Sequence, residues 1–280
     1  MKWNLSLKIV ILAACVIAID ACQKIDRPVM GDYPPDTNPP GGPLKFYAAM
    51  DGSSVDSIRA NFGTNTNVSF VDGASSEAME AGSDGYVVYP SANDFAISTS
   101  FTISFWLKKD GPNAAGGGTT FTFGLATTTD IWTAQNIFLE FEDAGNPSSK
   151  DSAAAKFYLM DQWFEFTKTS TIDKRMPKVL DGQWHHLAFV YDATSSTLTT
   201  YIDGTVPSNL PADFGKFTNN GGVVNLTSSA GLVIGGPGHF AVGKTPDGWM
   251  GNFNGSIDQW RMYGEALSAA DIQNLYNNHE

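Results

Sequence analysis

The sequence predicts an all-β protein: a two-sheet antiparallel β-sandwich with one short C-terminal helix. Three observations lead there. Apolar–polar alternation recurs in short runs. It is cleanest in "TSFTISFWLKKDGP", where Phe101, Ile103, Phe105 and Leu107 fall on one face and Thr102, Ser104 and Trp106 on the other. Period two marks a strand with one face in a core. Glycine is abundant, at 28 of 280 residues, and Thr, Ser, Asn and Asp crowd the middle of the chain. That composition favours short strands and turns over long helices. Such runs recur about a dozen times at roughly 8–15-residue spacing, the rhythm of a sandwich.

In chain order, "LKFYAAMDG" opens the series and stops at a turn, and "GYVVYPS" follows as a short apolar strand. After the alternating run come "TTFTFGLAT", "NIFLEFEDAG" and "AAKFYLMDQWFEFT". "QWHHLAFVYD" and "TLTTYIDGTVP" read as a central hairpin, and "GLVIGG" and "NGSIDQWRMYG" complete the sheets. The helix is "SAADIQNLYNN". Ser268 is its N-cap and Asp271, three residues on, closes a capping box in place of Glu. Ala270, Ile272 and Leu275 are expected to face inward. No boundary interrupts residues 44–280, which read as one domain.

The first residues read as an address. "MKWNLSLKIVILAACVIAIDACQKID" has a basic start and an apolar run over residues 9–19, too short to span a bilayer as a helix and suited to the core of a secretory signal. A cysteine after small residues at its end resembles a bacterial lipoprotein signal, in which the thiol is acylated. Cys22 is the expected lipidation site, with Cys15 the alternative, so residues 1–21 are expected to be removed. Residues 22–43 hold six prolines and three glycines, a semi-rigid tether. Lys24 and Asp26 resemble surface-export signals of some lipoproteins. The expected location is the bacterial outer membrane, lipid-anchored and exposed at the cell surface.

Charge and cysteine narrow the function. The net charge is −12 and no cluster of Lys and Arg suits a phosphate backbone, so nucleic acid is not an expected partner. Both cysteines lie in the first 22 residues, which excludes a cysteine metal site and a disulfide framework from the domain.

Three blocks carry a specific resemblance: "DGYVVYPSANDFAISTSFTISFWLKKDG", "DGQWHHLAFVYDATSSTLTTYIDGTV" and "GNFNGSIDQWRMYGEALSAADIQNLY". In this order they resemble the signature blocks of laminin-G-like, concanavalin A-like jelly-roll domains of bacterial surface proteins. The resemblance implies the jelly-roll sandwich. It does not fix function, because such domains serve as lectins, adhesion modules and enzyme appendages.

Candidate sites follow. Along "WHH", His186 shares a face with Trp184, Ala188 and Val190, and His185 with Leu187, Phe189 and Tyr191. The two histidines cannot converge on one ligand, and both are expected to be structural, bonded to backbone. Glu140 and Glu142 lie on one strand face, but the third acid of a sandwich-glucanase pattern is missing, and Glu165 follows separately. A non-enzymatic role is therefore expected, with a glycoside hydrolase or lyase the minor alternative. Asp51 and Gly52 after the first strand, and Asp258 at the start of the last, would meet if those strands pair antiparallel. With backbone carbonyls they suit Ca²⁺, and related jelly-roll domains often hold a structural Ca²⁺ there. Trp132, Trp163 and Trp249 are the candidate sugar platforms, since an indole face stacks on a pyranose. Trp106, Trp184 and Trp260 read as core. The reading is a non-catalytic, lipid-anchored surface module for glycan, with a protein-binding adhesion or scaffold domain as the alternative.

Overall fold

The computed structural model describes residues 42–112, 118–128, 134–142 and 148–279. Cys15, Cys22 and Trp132 lie outside the described residues. The strands are β1 Leu44–Ala48, β2 Val55–Asp56, β3 Asn61–Phe62, β4 Thr64–Asp72, β5 Glu77–Tyr89, β6 Phe101–Asp110, β7 Thr119–Thr127, β8 Gln135–Phe141, β9 Ser152–Ala153, β10 Ala155–Leu159, β11 Gln162–Phe166, β12 Met176–Pro177, β13 Asp181–Asp192, β14 Thr197–Ile202, β15 Ser229–Ile234, β16 Met250–Asn252 and β17 Gly255–Tyr263. The helix α1 spans Ala269–Asn277.

Two layers result. The first runs β3-β2-β1-β17-β6-β13-β14 and the second β4-β5-β15-β7-β8-β10-β11, with β16 beside β7. Pairing is antiparallel except for β16 on β7. The long β5 joins the layers: its start pairs with β17 and its end with β15. Alternation fills the space between them as predicted. Phe101, Ile103, Phe105 and Leu107 enter one core with Leu187, Phe189 and Tyr191 of β13 and with Phe157 of β10. Phe157 stacks on Phe189 across the layers at 4.5 Å.

The outer face of the first layer is covered by α1. Its capping box forms as predicted, Ser268 accepting from the Asp271 amide and Asp271 accepting from the Ser268 amide. Ile272 and Leu275 pack on Ala188, Val190 and Tyr201. Ala270 is exposed instead of inward, because it lies two residues before Ile272, off the apolar stripe of the helix. Trp106 lies here too, against His186 and Tyr276.

Other expectations need correction. "AAKFYLMDQWFEFT" is a hairpin of two strands turning at Met160 and Asp161. β4 was not foreseen. The β13–β14 hairpin sits at the sheet edge, since β14 pairs with β13 alone. Trp184 is half-buried, with Lys108 Nζ 5.9 Å from its ring centre, and so is not core.

The two histidines do point to opposite faces, but their partners are side chains, not backbone. His185 spans two carboxylates, Nδ1 to Asp203 Oδ2 at 2.8 Å and Nε2 to Asp181 Oδ1 at 3.0 Å. Burial alone would lower its pKa, yet the hydrogen bonds and charges of Asp203 and Asp181 raise it. His186 meets Ser104 Oγ at 2.7 Å. Burial lowers its pKa to about 4, with Arg261 adding to the effect, so the ring is neutral at neutral pH.

Candidate functional site

The outer face of the second layer carries two of the sequence-predicted aromatics, Trp163 and Trp249. It starts from a bulge in β7. Phe121 pairs with Glu140 and Phe123 with Leu139, so one residue, Thr122, is extra. An extra residue reverses which face the following side chains take. Phe123 therefore joins the inner core while Phe121 turns outward onto Phe138, Tyr158 and Met250.

A continuous row of rings results. Trp249, in the loop before β16, lies 5.8 Å from Phe121. Phe121 meets Phe138 at 5.0 Å, and Phe138 stacks on Tyr158 at 4.6 Å and 8°. Trp163 of β11 closes the row at 5.0 Å from Tyr158. Trp249 is 39% exposed and Trp163 is half-buried. The chain thus brings two of the three predicted tryptophans, 86 residues apart in the numbering, onto one face. A groove of about 300 Å³, lined by Gln162, Trp163, Glu165, Lys174, Phe214 and Lys216 among others, opens beside Trp163.

Acids converge at the Trp163 end. Register places Lys156 of β10 between Glu140 of β8 and Glu165 of β11. Lys156 Nζ lies 3.1 Å from Glu142 Oε1 and 3.8 Å from Glu165 Oε1. It also sits 5.4 Å from the centre of the Trp163 ring, within cation–π reach. Glu140 is 3% exposed. Burial pushes its pKa up to about 8; Lys156 opposes this, and Glu142 and Glu165 add to it. Sequence reasoning had noted all three acids but missed Lys156, the cation that collects them. Only strand register reveals it. A second, polar cleft of about 520 Å³ lies among Lys108, Asp110, Asn252 and Ser256, and none of the predicted site residues lines it.

The expected calcium residues lie on neighbouring segments. β1 pairs antiparallel with β17, which places Asp51, after β1, and Asp258, within β17, on adjacent chain segments. Asp258 lies inside β17, three residues past its start at Gly255, rather than at its beginning. Its Oδ2 accepts from the Ser75 amide at 2.9 Å, while the buried Oδ1 has no hydrogen-bond partner. Burial raises its pKa to about 6. Backbone crowds the carboxylate: a Cβ on Gly73 would stand 2.6 Å from Asp258 Oδ2. Among the described residues no group of three or more His, Cys, Asp and Glu is arranged to hold a metal ion. A cation here would need backbone carbonyls to complete its oxygen set. The orphaned Asp258 Oδ1 fits that need, while Asp51 Oδ1 already accepts from the Glu77 amide at 3.0 Å.

Fold and site define a jelly-roll sandwich with an aromatic outer face. The chain belongs to the concanavalin A-like lectin/glucanases superfamily, whose family model matches residues 81–273. A search of curated proteins finds no match. Among solved structures, the chain is similar to domain 4 of AbnA, a GH43 extracellular arabinanase from Geobacillus stearothermophilus, in complex with arabinotriose: 20% identity, TM-score 0.53, over 83% of this chain and 98% of that one. It is also similar to the binding domain of Paraclostridial Mosquitocidal Protein 1, at 16% identity and TM-score 0.51, over 84% of this chain and 52% of that one. A Trypanosoma rangeli sialidase mutant displaying trans-sialidase activity matches at 12% identity and TM-score 0.56, over 85% of this chain and 33% of the sialidase. The chain thus spans about half of the second protein and a third of the third. At these identities the likeness is one of fold.

Proposed function

We propose that this chain is a non-catalytic module that binds polysaccharide through the two partly exposed indoles of this face, Trp249 and Trp163, at the bacterial cell surface. The observation that carries the reading is the two ends of that row: flat, partly exposed indoles on one sheet face, held from beneath by Phe121, Phe138 and Tyr158, which are fully buried. Flat apolar rings of this kind stack on sugar faces. The arabinotriose complex of a domain with this fold supports the ligand class. A lipid on Cys22, with Cys15 as the alternative, would hold the module at the outer membrane, and residues 22–43 would space it from the bilayer. The non-catalytic reading is supported by Lys156: its ammonium ties Glu142 and Glu165 to one cation, whereas glycosidase chemistry needs two carboxyls set apart to flank the glycosidic bond.

The test is a glycan-array screen of the full chain, followed by titration of the best ligand. Wild-type protein is expected to bind saturably and release no product. Trp249→Ala should weaken binding on the order of tenfold, the value of a stacked ring. Product release would establish a hydrolase or lyase. Absence of binding across the array would turn the module into a protein-binding scaffold.

A structural calcium ion is part of the proposal, held by the carboxylates of Asp51 and Asp258 and the Gly52 carbonyl. Millimolar Ca²⁺ is expected to raise the melting temperature by roughly 5 °C over chelator, through binding the folded state alone. Asp258→Asn should abolish the increment. Equal melting temperatures with Ca²⁺ and with chelator would remove the ion from the account.

A further inference from the structure

We propose that this face selects saccharides carrying free amines, glucosamine-type sugars rather than uronates, and seats the amine where Glu140, Glu142 and Glu165 converge on Lys156 beside Trp163. The inference rests on the glycan-binding reading and names the chemistry of its ligand.

Acceptors there outnumber cations. Among the described residues, the ion pairs made by these acids all come from one ammonium, that of Lys156. Glu140, with its pKa raised to about 8, is protonated at neutral pH, so the carboxylates of Glu142 and Glu165 share one ammonium at this point, with Lys174 and Lys216 further along the groove. The surplus shows at specific atoms: Glu140 Oε2 and Glu142 Oε2 are buried with no hydrogen-bond partner. Buried acceptors left unpaired are rare and call for a donor. Glu140 is more than nine-tenths buried, and the alternation of β8 turns it to the aromatic outer face, opposite the inner Leu139 and Phe141. A ligand that brings N–H donors and positive charge to this place would satisfy those oxygens and offset the surplus.

Three comparisons decide between sugar classes. A hydroxyl gives the carboxylates donors but no charge. An ammonium gives both, and charge-assisted hydrogen bonds are about twice as strong as neutral ones. A uronate brings a further carboxylate and is repelled. The site already holds one alkylammonium in this manner, since Lys156 packs near the Trp163 ring while paired to Glu142. The ring that would stack on a sugar face is thus next to the acids that would take its amine. Glu165 and Trp163 both line the open groove, which gives the ligand a route in. The −12 net charge of the chain draws cations toward it at longer range.

The test titrates the full chain with glucosamine oligomers, with N-acetylglucosamine oligomers of equal length and with oligogalacturonate, at a pH where the free amines are charged. The expected result is a preference for the amine of about tenfold over the N-acetyl form and no detectable uronate binding. The Glu142→Gln/Glu165→Gln variant should lose the preference, binding the two hexosamine forms with equal affinity. Equal wild-type affinity for the two hexosamine forms, or stronger uronate binding, overturns the inference and leaves the glycan reading standing. Failure of every saccharide overturns both. An amine preference that persists in the double variant, or in Trp163→Ala, reports general attraction to an acidic protein and also overturns the inference. The wild-type comparison decides the outcome even if a variant fails to fold.

Discussion

Trp260→Ala is expected to cost about 3–5 kcal/mol of folding stability, the range for emptying a buried tryptophan site. Trp260 is fully buried. It stacks on Phe105 at 4.6 Å and 20°, and Phe123 meets it edge-on at 4.8 Å. These rings come from β17, β6 and β7, so the indole ties the two layers together at their middle. Strands on either side cannot collapse into the void without breaking their ladders, so most of the cavity would persist. A second variant separates packing from polarity. The indole Nε1 is buried with no hydrogen-bond partner, so Trp260→Phe removes volume and an unsatisfied donor together. Its cost should be less than half that of the alanine variant. Urea unfolding of the three proteins measures both values. A loss below about 1 kcal/mol in Trp260→Ala would show that the centre of the sandwich repacks freely.

The same core shows what the sequence makes legible. Alternation from Phe101 to Leu107 states strand and inner face directly, because a half-buried strand needs period two. The capping box of Ser268 and Asp271 is local and equally legible. What escaped depends on register or on unusual turns. β4 escaped because most of its residues are exposed or half-buried, so "TNTNVSFVD" carries little apolar rhythm. The β10–β11 hairpin escaped because Met160 and Asp161 adopt positive φ, 44° and 66°. That geometry normally announces itself through Asn-Gly or Asp-Gly. The bulge at Thr122 has no local signature either, yet it decides that Phe121 joins Trp249 outside rather than Phe123 inside. The candidate site was accordingly half legible. Its tryptophans stood out as residue types, although Trp163 lies in β11 and only Trp249 in a loop. The meeting of Glu140, Lys156 and Glu165 is set by pairing across three strands, and spacing along the chain cannot state it.

Glu140 yields the second large effect, a pH dependence. Its pKa is raised from 4.5 to about 8 in the folded protein. The folded state therefore holds this proton more tightly than the unfolded chain. The contribution to stability is fully present below about pH 4.5 and is lost as pH rises through 8. Linkage puts the loss at roughly 4 kcal/mol across that window. Glu140→Gln keeps the shape and the hydrogen-bonding capacity of the protonated acid but cannot ionise. Its stability should match wild type near pH 4.5 and exceed it progressively toward pH 8. The His185 and Asp258 shifts have the same sign, but both proteins carry them, so they cancel in the difference. Parallel curves for wild type and Glu140→Gln, from urea unfolding at several pH values, would show that the burial of Glu140 is relieved in solution. If the curves diverge, the chain keeps at this position a carboxyl that weakens the fold where a glutamine would not. Local choices that work against stability are expected at functional sites. The proposed amine ligand would supply the compensation: its charge would let Glu140 ionise, so its binding near neutral pH should release a proton, read as a dependence of the binding enthalpy on the buffer.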